Sequence, residues 1–421
     1  MKNKKKSNRI LAAHYLLVVP TLAAVLLVLV FLLTQCSSQE SHEVISIDPN
    51  KTQLGKITLS DMIESIEYIP LETNTNCLVG EIRDRNCLLV SNNYILVYCN
   101  RSGSYYLFSR TGKFLAKIGN EGRGPGEYPI ATRIVSINEE LHQISIVSSS
   151  SRKLFFYDFN GKYLHSKSFE QTFLGGSNFN LIKYDENYYA MFSNNANREE
   201  DPLFTYNIFS EDLKLLAQNI KPVYYTMLQR GTLTQQGNFC YYSYDGLMHI
   251  KKATLNDTVY QIKNLSFVPK YIINAGKYSF TTEVLRDAKE FGKEFHNRTM
   301  IFSIFETNNY LLISYNYDQK DFHQYYDKSR KETFLFNSAS GIPNDYDGGL
   351  DFSPKQQNDN EYITWYHAYH FDENDNKLSP KASPKDVERF KTVTKEVLGV
   401  RDPQTNKLME ANPVIVIVKF K

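Results

Sequence analysis

A segment that occurs twice, 49 residues apart, constrains this chain more than any other feature. Residues 108–115 read FSRTGKFL and residues 157–164 read YDFNGKYL. In both copies an aromatic run ends in a polar turn, and a Gly-Lys pair leads into a second run that begins with an aromatic residue. Glycine adopts the positive φ angles of tight turns without strain. Each copy therefore predicts a β-hairpin with Gly112 or Gly161 at its turn.

Weaker copies extend the repeat along the chain. One lies at residues 209–214, where Leu213 takes the place of the glycine, and a more divergent one lies at residues 326–331. A period near 50 residues with about four strands per unit is typical of β-propellers, and residues 57–345 have room for about six such units. The sequence therefore predicts an all-β, six-bladed β-propeller over residues 57–421, decorated by a few helices.

The rest of the chain also favours strands. Tyr and Phe number 30 and 26, and aromatic side chains suit the pleated, half-buried surface of a strand. Short apolar runs bounded by Asn, Gly, Asp and Ser recur at residues 94–98, 143–147, 188–192 and 310–315. No series of helices alternates with these runs, so a doubly wound parallel sheet is disfavoured.

The N-terminus has the pattern of an export signal or membrane anchor. From Leu16 to Leu33 only Pro20 and Thr21 interrupt an apolar run, and eighteen helical residues would span about 27 Å, close to the thickness of a bilayer's hydrocarbon core. A basic flank precedes this run: Lys2, Lys4, Lys5, Lys6 and Arg9. Because such a flank stays in the cytoplasm, we expect the rest of the chain in the cell envelope, in the periplasm or on the cell surface.

Two roles are open for residues 1–36. The sequence around Cys36, LLTQCSS, resembles a bacterial lipoprotein signal, in which the cysteine is lipidated and becomes the mature N-terminus. Gln35 departs from that family, which usually has Gly, Ala or Ser at this position. The alternative is an uncleaved single transmembrane helix, since the apolar run is long for a cleaved signal. In both cases the membrane is a partner, and residues 37–56 form a tether and a first strand.

Three helices and a terminal strand are predicted. One helix covers residues 59–65 with Ser60 as N-cap, and another begins at Thr282. The clearest begins after Ser383, an N-cap followed by proline, and ends at Gly399. The chain then ends in VIVIVKF, a run suited to a strand buried on both faces. We predict that this strand closes the propeller by pairing with strands near the start of the folded domain.

The most unusual loop is IGNEGRGPGEY, at residues 118–128. Its glycines and proline cannot continue a strand, and the backbone N–H groups of such a loop can hold a phosphate. It lacks the GK[ST] ending of a P-loop, and no amphipathic helix follows it. The favoured interpretation is a rigid corner in which Arg123 and Glu127 satisfy backbone groups. The candidate site residues are Gly122, Arg123, Gly124, Pro125, Gly126, Glu127 and Tyr128.

This loop, with YDFNGK about 30 residues later, resembles a family of six-bladed β-propellers, of the NHL or TolB-like kind, that is abundant as lipoproteins in Bacteroidetes. Further matching stretches are IEYIPLE, NDTVY, NDYDGGLD and NPVIVIVKFK, in that order, at residues 66–72, 256–260, 344–351 and 412–421. The resemblance implies an exported, membrane-anchored propeller. It implies no agreed activity and no catalytic residues.

Two groups of residues have side chains that can bind metals, but neither group has the full set of ligands at the usual spacing. His367 and His370 are spaced as on one helical turn but lack a third ligand at the usual spacing. Asp345, Asp347 and Asp351 lack the closing Glu of an EF-hand, so a solvated acidic turn is favoured. We therefore expect no metal and no cofactor.

The five cysteines contain no CxxC pair. Cys77, Cys87 and Cys99 are interpreted as small buried residues, with a disulfide among them as the alternative.

Two functions remain open. The formal net charge of +2, with basic residues dispersed beyond the N-terminus, argues against nucleic acid as a partner. The favoured hypothesis is a binding or scaffolding module for a glycan, peptide or protein, because propeller loops and Tyr side chains suit recognition. The alternative is a carbohydrate-active hydrolase or lyase whose carboxylates meet at the channel mouth.

Overall fold

The structure is a computed structural model. It describes residues 42–50, 53–129, 132–169, 178–194, 204–221, 240–251, 258–281, 284, 288–338, 340–372, 383–401, 404, 406 and 410–421. The predicted signal or anchor, with Cys36, lies outside these residues. No helix in the described part is both long and apolar enough to cross a membrane.

Strands dominate the described residues. In chain order they are β1 (Glu43–Ser46), β2 (Ile63–Pro70), β3 (Leu88–Val90), β4 (Tyr94–Cys99), β5 (Ser104–Ser109), β6 (Phe114–Ile118), β7 (Thr132–Asn138), β8 (Gln143–Ser148), β9 (Lys153–Asp158), β10 (Tyr163–Ser168), β11 (Asn178–Asp185), β12 (Tyr188–Asn194), β13 (Phe204–Ser210), β14 (Leu215–Lys221), β15 (Cys240–Tyr244), β16 (Leu247–Lys251), β17 (Thr258–Lys263), β18 (Ser266–Asn274), β19 (Met300–Glu306), β20 (Tyr310–Tyr317), β21 (Lys320–Asp327), β22 (Glu332–Leu335), β23 (Gln356–Asn358), β24 (Glu361–Tyr366) and β25 (Val414–Phe420).

Strands that follow one another in the chain form antiparallel sheets. Within the described ranges, four sheets have four strands each: β3 to β6, β7 to β10, β11 to β14 and β19 to β22. A nine-stranded sheet has the order β1-β18-β17-β16-β15-β23-β24-β25-β2. A single parallel bridge between Ser243 and Asn358 joins its two parts, which are β15 to β18 with β1 at their edge, and the four strands β23, β24, β25 and β2. Successive four-stranded antiparallel sheets are the organisation of a propeller-like fold, so the predicted all-β class is confirmed.

The hydrophobic core lies between the faces of successive sheets. Leu107 of β5 shares a cluster with Ile146 of β8, and Leu154 of β9 shares the next with Met191 of β12. A further cluster joins Ile95 of β4 to residues of β24 and β25. The packing of sheet on sheet therefore continues from the last group of strands back to the first.

The repeated turns occupy the same place in their sheets, between the third and fourth strands. Gly112 and Gly161 both have a φ of 83°. A Cβ atom at these positions would lie 2.1 Å from the backbone oxygens of Pro70 and Lys117, respectively, so only glycine fits against the neighbouring strand. Leu213 keeps the same backbone region, with a φ of 60°. The predicted positive-φ turns are confirmed.

The last strand lies between strands from both ends of the described chain. β25 pairs antiparallel with β24, from Glu361 opposite Lys419 to Tyr366 opposite Val414. Its other edge pairs with β2, where Pro70 is opposite Val414. All its side chains are buried except that of Lys419. The prediction that this strand pairs near the start of the folded domain is confirmed.

The helices are α1 (Leu59–Met62), α2 (Ala288–Glu294), α3 (Ala368–Asp372) and α4 (Pro384–Leu398) among the described residues. α4 begins and ends as predicted: Ser383 Oγ accepts a hydrogen bond from the Asp386 N–H, and Gly399 follows the last turn. The predicted helix start at Thr282 lies outside the described residues.

The predicted N-cap of α1 is wrong. Thr58 is the N-cap, and the strand β2 begins directly after the helix. Ser60 lies inside the first turn, where its N–H and Oγ both donate to the Asp345 carboxylate, at 2.9 and 2.8 Å. A partner 285 residues away in the sequence therefore decides the role of Ser60.

Candidate functional site

A cavity lies where the first strands of several sheets meet. We call it the inner cavity; its volume is about 180 Å³, and its walls come mainly from β3, β7, β11, β15 and β23. Aliphatic side chains of β3, β7 and β11 form one part of the wall. The polar part includes Arg85, Lys183, Tyr241, Gln356 and Asn358. No Asp or Glu is among the described residues that line it.

Local hydrogen bonds hold Arg85 in place. It begins a 3₁₀-helix, Arg85–Cys87, directly before β3. The Asp84 side chain caps this helix by accepting a hydrogen bond from the Asn86 N–H at 2.7 Å. Gln356 Nε2 donates to the backbone oxygens of Arg85 and Leu88, at 2.6 and 2.7 Å. The backbone that carries the guanidinium is therefore fixed by both its own segment and β23.

The inner cavity has a positive electrostatic character. The Arg85 guanidinium lies 5.6 Å from the centre of the Tyr241 ring. Burial raises the pKa of the Tyr241 hydroxyl, and the charges of Arg85 and Arg133 only partly oppose this effect. The hydroxyl is therefore neutral and able to donate a hydrogen bond. With Lys183 in the wall, the cavity offers cations and a donor without a lining carboxylate.

A buried ionic cluster surrounds Glu306, the last residue of β19, whose side chain is 1% exposed. Lys270 Nζ donates to Oε2 at 2.9 Å and Lys328 Nζ to Oε1 at 2.7 Å. The hydroxyls of Tyr242 and Tyr271 donate to the same carboxylate, at 3.2 and 2.6 Å. Burial opposes ionisation, but the two lysines outweigh it and hold the pKa of Glu306 below its usual range. Four hydrogen bonds to this carboxylate therefore link β15, β18, β19 and the turn after β21.

An outer cleft of about 250 Å³ lies beside this cluster. The Tyr244 ring lines the cleft, and the ammonium groups of Lys270 and Lys328 lie 5.0 and 5.1 Å from its centre. Asp245 and Asp359 also line the cleft. Two carboxylates therefore line this cleft, unlike the inner cavity, and Asp359 Oδ1 accepts hydrogen bonds from Ser243 Oγ and the Gly246 N–H at 3.1 and 3.0 Å.

His249 is fully buried next to the cluster. Its Nδ1 lies 3.0 Å from the Leu247 backbone oxygen and therefore donates, while Nε2 accepts from Lys270 Nζ at 3.0 Å. Burial, followed by the charge of Lys270, lowers the pKa of His249 to about 4. The imidazole is therefore neutral in the folded protein at neutral pH.

This depressed pKa predicts a loss of stability in mild acid. The unfolded chain protonates His249 near pH 6.5, whereas the folded chain does so only near pH 4, so stability falls as the pH drops through this window. Between pH 7 and pH 5 the His249 contribution is a loss of about 2 kcal/mol in the free energy of unfolding. Urea denaturation at both pH values should show a smaller difference for His249→Gln, while His165→Gln, at an exposed position, should match the wild type. An unchanged difference in His249→Gln would contradict the assignment.

The glycine-rich loop is a corner between β6 and β7. Glu127 Oε2 accepts a hydrogen bond from the Gly124 N–H at 2.7 Å, whereas Arg123 is exposed. Tyr128 is fully buried, with ring centres of Tyr105 and Tyr157 at 5.2 and 6.0 Å. The loop therefore wedges an aromatic ring between two sheets. Ligand binding by residues 122–128 stays a prediction.

The interpretation of the acidic turn as solvated is wrong. Asp345 and Asp347 are 3% and 1% exposed. Asp345 holds the first turn of α1, and Asp347 Oδ1 accepts from the Gly349 N–H and the Asn344 amide, both at 2.9 Å. Burial raises the pKa of Asp347 in spite of these bonds. The carboxylates are folding contacts, which turn statistics alone do not reveal.

The histidine pair and the cysteines are also placed. His370 Nδ1 accepts a hydrogen bond from the His367 N–H at 3.1 Å, and the two rings stack with centres 5.7 Å apart. Across the described ranges, no group of three or more His, Cys, Asp or Glu is arranged to hold a metal ion. Cys77, Cys87 and Cys99 are free and buried, as interpreted from the sequence.

The sequence did not single out Arg85, Lys183, Tyr241 or Glu306. Arg85 lies in a charged stretch before β3 and Tyr241 in an aromatic strand, whereas Lys183 and Glu306 each follow a short apolar run within a strand. A charged residue inside such a run is a signal of a buried polar contact. The partner of such a charged residue can be identified only from the way the sheets pack.

Comparisons with known proteins agree with the fold. A Bacteroides fragilis protein described as exported is 14% identical, with a TM-score of 0.58 over 90% of this chain and 99% of its own. A DUF4221 member from Bacteroides vulgatus is 11% identical, with a TM-score of 0.42 over 85% and 97%. The Dos1 propeller is 9% identical, with a TM-score of 0.32 over 59% and 55%. Of these three, the first shows a likeness of fold.

No curated protein matches the sequence. The model of one family, a domain of unknown function, matches residues 42–419, nearly the whole chain. The chain therefore belongs to the DUF4934 family.

Proposed function

We propose that this chain is a membrane-anchored, extracytoplasmic binding module for a glycan, peptide or protein, built as a six-bladed β-propeller. The blade number is supported by four separate four-stranded sheets and by two further groups, β15 to β18 and β2 with β23 to β25, within the nine-stranded sheet. The sheet packing that returns from the last group to the first supports a closed ring.

The observation that carries the binding function is the inner cavity. Its polar residues come from separate sheets and present cations, amides and a tyrosine hydroxyl to one space without a lining carboxylate. Hydrolysis of a glycoside generally needs an acid and a base or nucleophile, which are paired carboxylates in most such enzymes. Recognition needs only fixed donors and a shaped wall. The cavity therefore fits a binding site.

The location is supported by the N-terminal sequence. The basic flank, the apolar run and Cys36 favour a lipoprotein, and the glycine-rich loop with the later matching stretches resembles propellers of the NHL or TolB-like kind. The structurally similar Bacteroides fragilis protein is described as exported.

A hydrolase or lyase is the second candidate, and the outer cleft favours it. Asp245 and Asp359 line this cleft together with Tyr244. Under this alternative, Asp245→Asn and Asp359→Asn would each remove turnover of a glycan substrate while leaving the fold intact.

Binding is tested by screening the full-length chain, in mild detergent, against glycan and peptide arrays. The binding function predicts retained, unmodified ligand, with affinity reduced by changes in the inner cavity. Cleavage of an arrayed glycan that requires Asp245 and Asp359 would replace it with the enzymatic function. Absence of any retained ligand or product would contradict both.

A further inference from the structure

We infer that the inner cavity binds a single acidic sugar unit, with Arg85 holding its carboxylate. This inference rests on the proposed binding function and specifies its ligand. The starting observation is Arg85 Nη1, a buried donor that has no hydrogen-bond acceptor among the described residues. An unpaired buried donor on a charged group is costly, and a carboxylate in the cavity would remove that cost.

The position of Arg85 is set before any ligand arrives. The Asp84 cap and the two hydrogen bonds from Gln356 hold the backbone of residues 85–88, which carries the guanidinium. The centre of the Tyr241 ring lies 5.6 Å from the guanidinium, and this tyrosine is itself half-buried. Little conformational freedom is therefore lost on binding, which favours affinity.

The charge of the cavity selects an anion. Lys183 lines the same space, and Arg133 is near enough to affect the ionisation of Tyr241. Within the described part of the chain no carboxylate lines the cavity; the nearby Asp84 carboxylate, which also acts on Tyr241, accepts a hydrogen bond from the Asn86 N–H. An arginine fork matches the two oxygens of a carboxylate, and the neutral Tyr241 hydroxyl adds a further donor.

The rest of the wall selects a sugar rather than a simple ion. Aliphatic residues such as Val90, Ile134 and Ile182 line the cavity beside the amides of Asn86 and Asn358. A pyranose ring can place its C–H groups against the aliphatic side chains and its hydroxyls against the amides. An inorganic anion would leave the apolar wall uncovered, and a fatty acid would leave the amides unpaired. The volume of about 180 Å³ is below the common range for drug-sized ligands and suits one ring.

Calorimetric titration of the full-length chain in mild detergent tests the inference. The probes are glucuronate, glucose as its neutral match, acetate, inorganic phosphate, and one dipeptide with a free C-terminus. We expect glucuronate to bind most tightly. Arg85→Gln should weaken it about ten- to a hundredfold. Lys183→Gln should weaken it less, and Arg101→Gln, at an exposed position, should leave it unchanged.

Several results would overturn the inference. Equal binding of acetate or phosphate would indicate a site for any small anion, and tighter binding of the dipeptide would indicate a peptide carboxylate. Unchanged affinity in Arg85→Gln, with wild-type thermal unfolding, would exclude the cavity. If Arg85→Gln does not fold, two other variants test the inference. Arg85→Lys keeps the charge but not the guanidinium fork, and Lys183→Gln removes the second cation. A glycan or peptide from the wider screen that binds these variants as tightly as it binds the wild type would contradict this inference but not the proposed binding function.

Discussion

Removal of residues 414–421 is expected to abolish soluble, folded protein. β25 is a central strand, so its loss exposes the unpaired edges of both β24 and β2. It also removes a row of fully buried Val and Ile side chains from two faces of the core. Exposed apolar edges of this kind lead to aggregation. Expression of the truncated chain, followed by size-exclusion chromatography, measures the result.

Two substitutions within β25 make this prediction quantitative. Val416→Asp places a carboxylate at a fully buried position and should lower the free energy of unfolding by about 4 kcal/mol or more. Lys419→Gln changes the exposed residue of the same strand and should cost at most about 0.5 kcal/mol. A soluble truncated chain that unfolds at the wild-type temperature would show that β25 does not close the fold.

Replacement of Glu306 by Gln is expected to be the most destabilising conservative change in the ionic cluster. It leaves Lys270 and Lys328 close together without their counter-charge. Breaking a buried ion pair from one side costs about 3–5 kcal/mol, and the partial exposure of both lysines places the cost at about 3 kcal/mol. Urea denaturation at pH 7 gives the change in the free energy of unfolding.

Matched variants separate charge from packing at Glu306. Glu290→Gln removes one member of the exposed pair with Lys293 and should cost below about 0.5 kcal/mol. Adding Lys328→Gln to Glu306→Gln removes one of the two unpaired cations, so the double variant should be less destabilised than the sum of the single variants. Strict additivity would show that the carboxylate and Lys328 are not coupled.

Features that depend on neighbouring residues could be read from the sequence. The turns at Gly112 and Gly161, the cap at Ser383 and the terminal strand are set by backbone conformation and local apolar pattern, and the structure contains all of them. The prediction of Ser60 as the N-cap of α1 is wrong: Thr58 is the N-cap, and Ser60 bonds to Asp345, far along the chain.

The candidate site shows the same division. The sequence places Arg85 before a strand and Tyr241 within one, but their contact depends on how two separate sheets pack. Lys270 likewise reaches Glu306 from β18, and Lys328 reaches it from the turn after β21.

The sequence alone determined the all-β class and the repeated hairpins, because strand and turn preferences act over a few residues. Only the tertiary structure decided which side chains share a cavity and which carboxylates are buried. The physical reason is that burial and charge pairing depend on distances between sheets, which the order of residues along one strand does not specify.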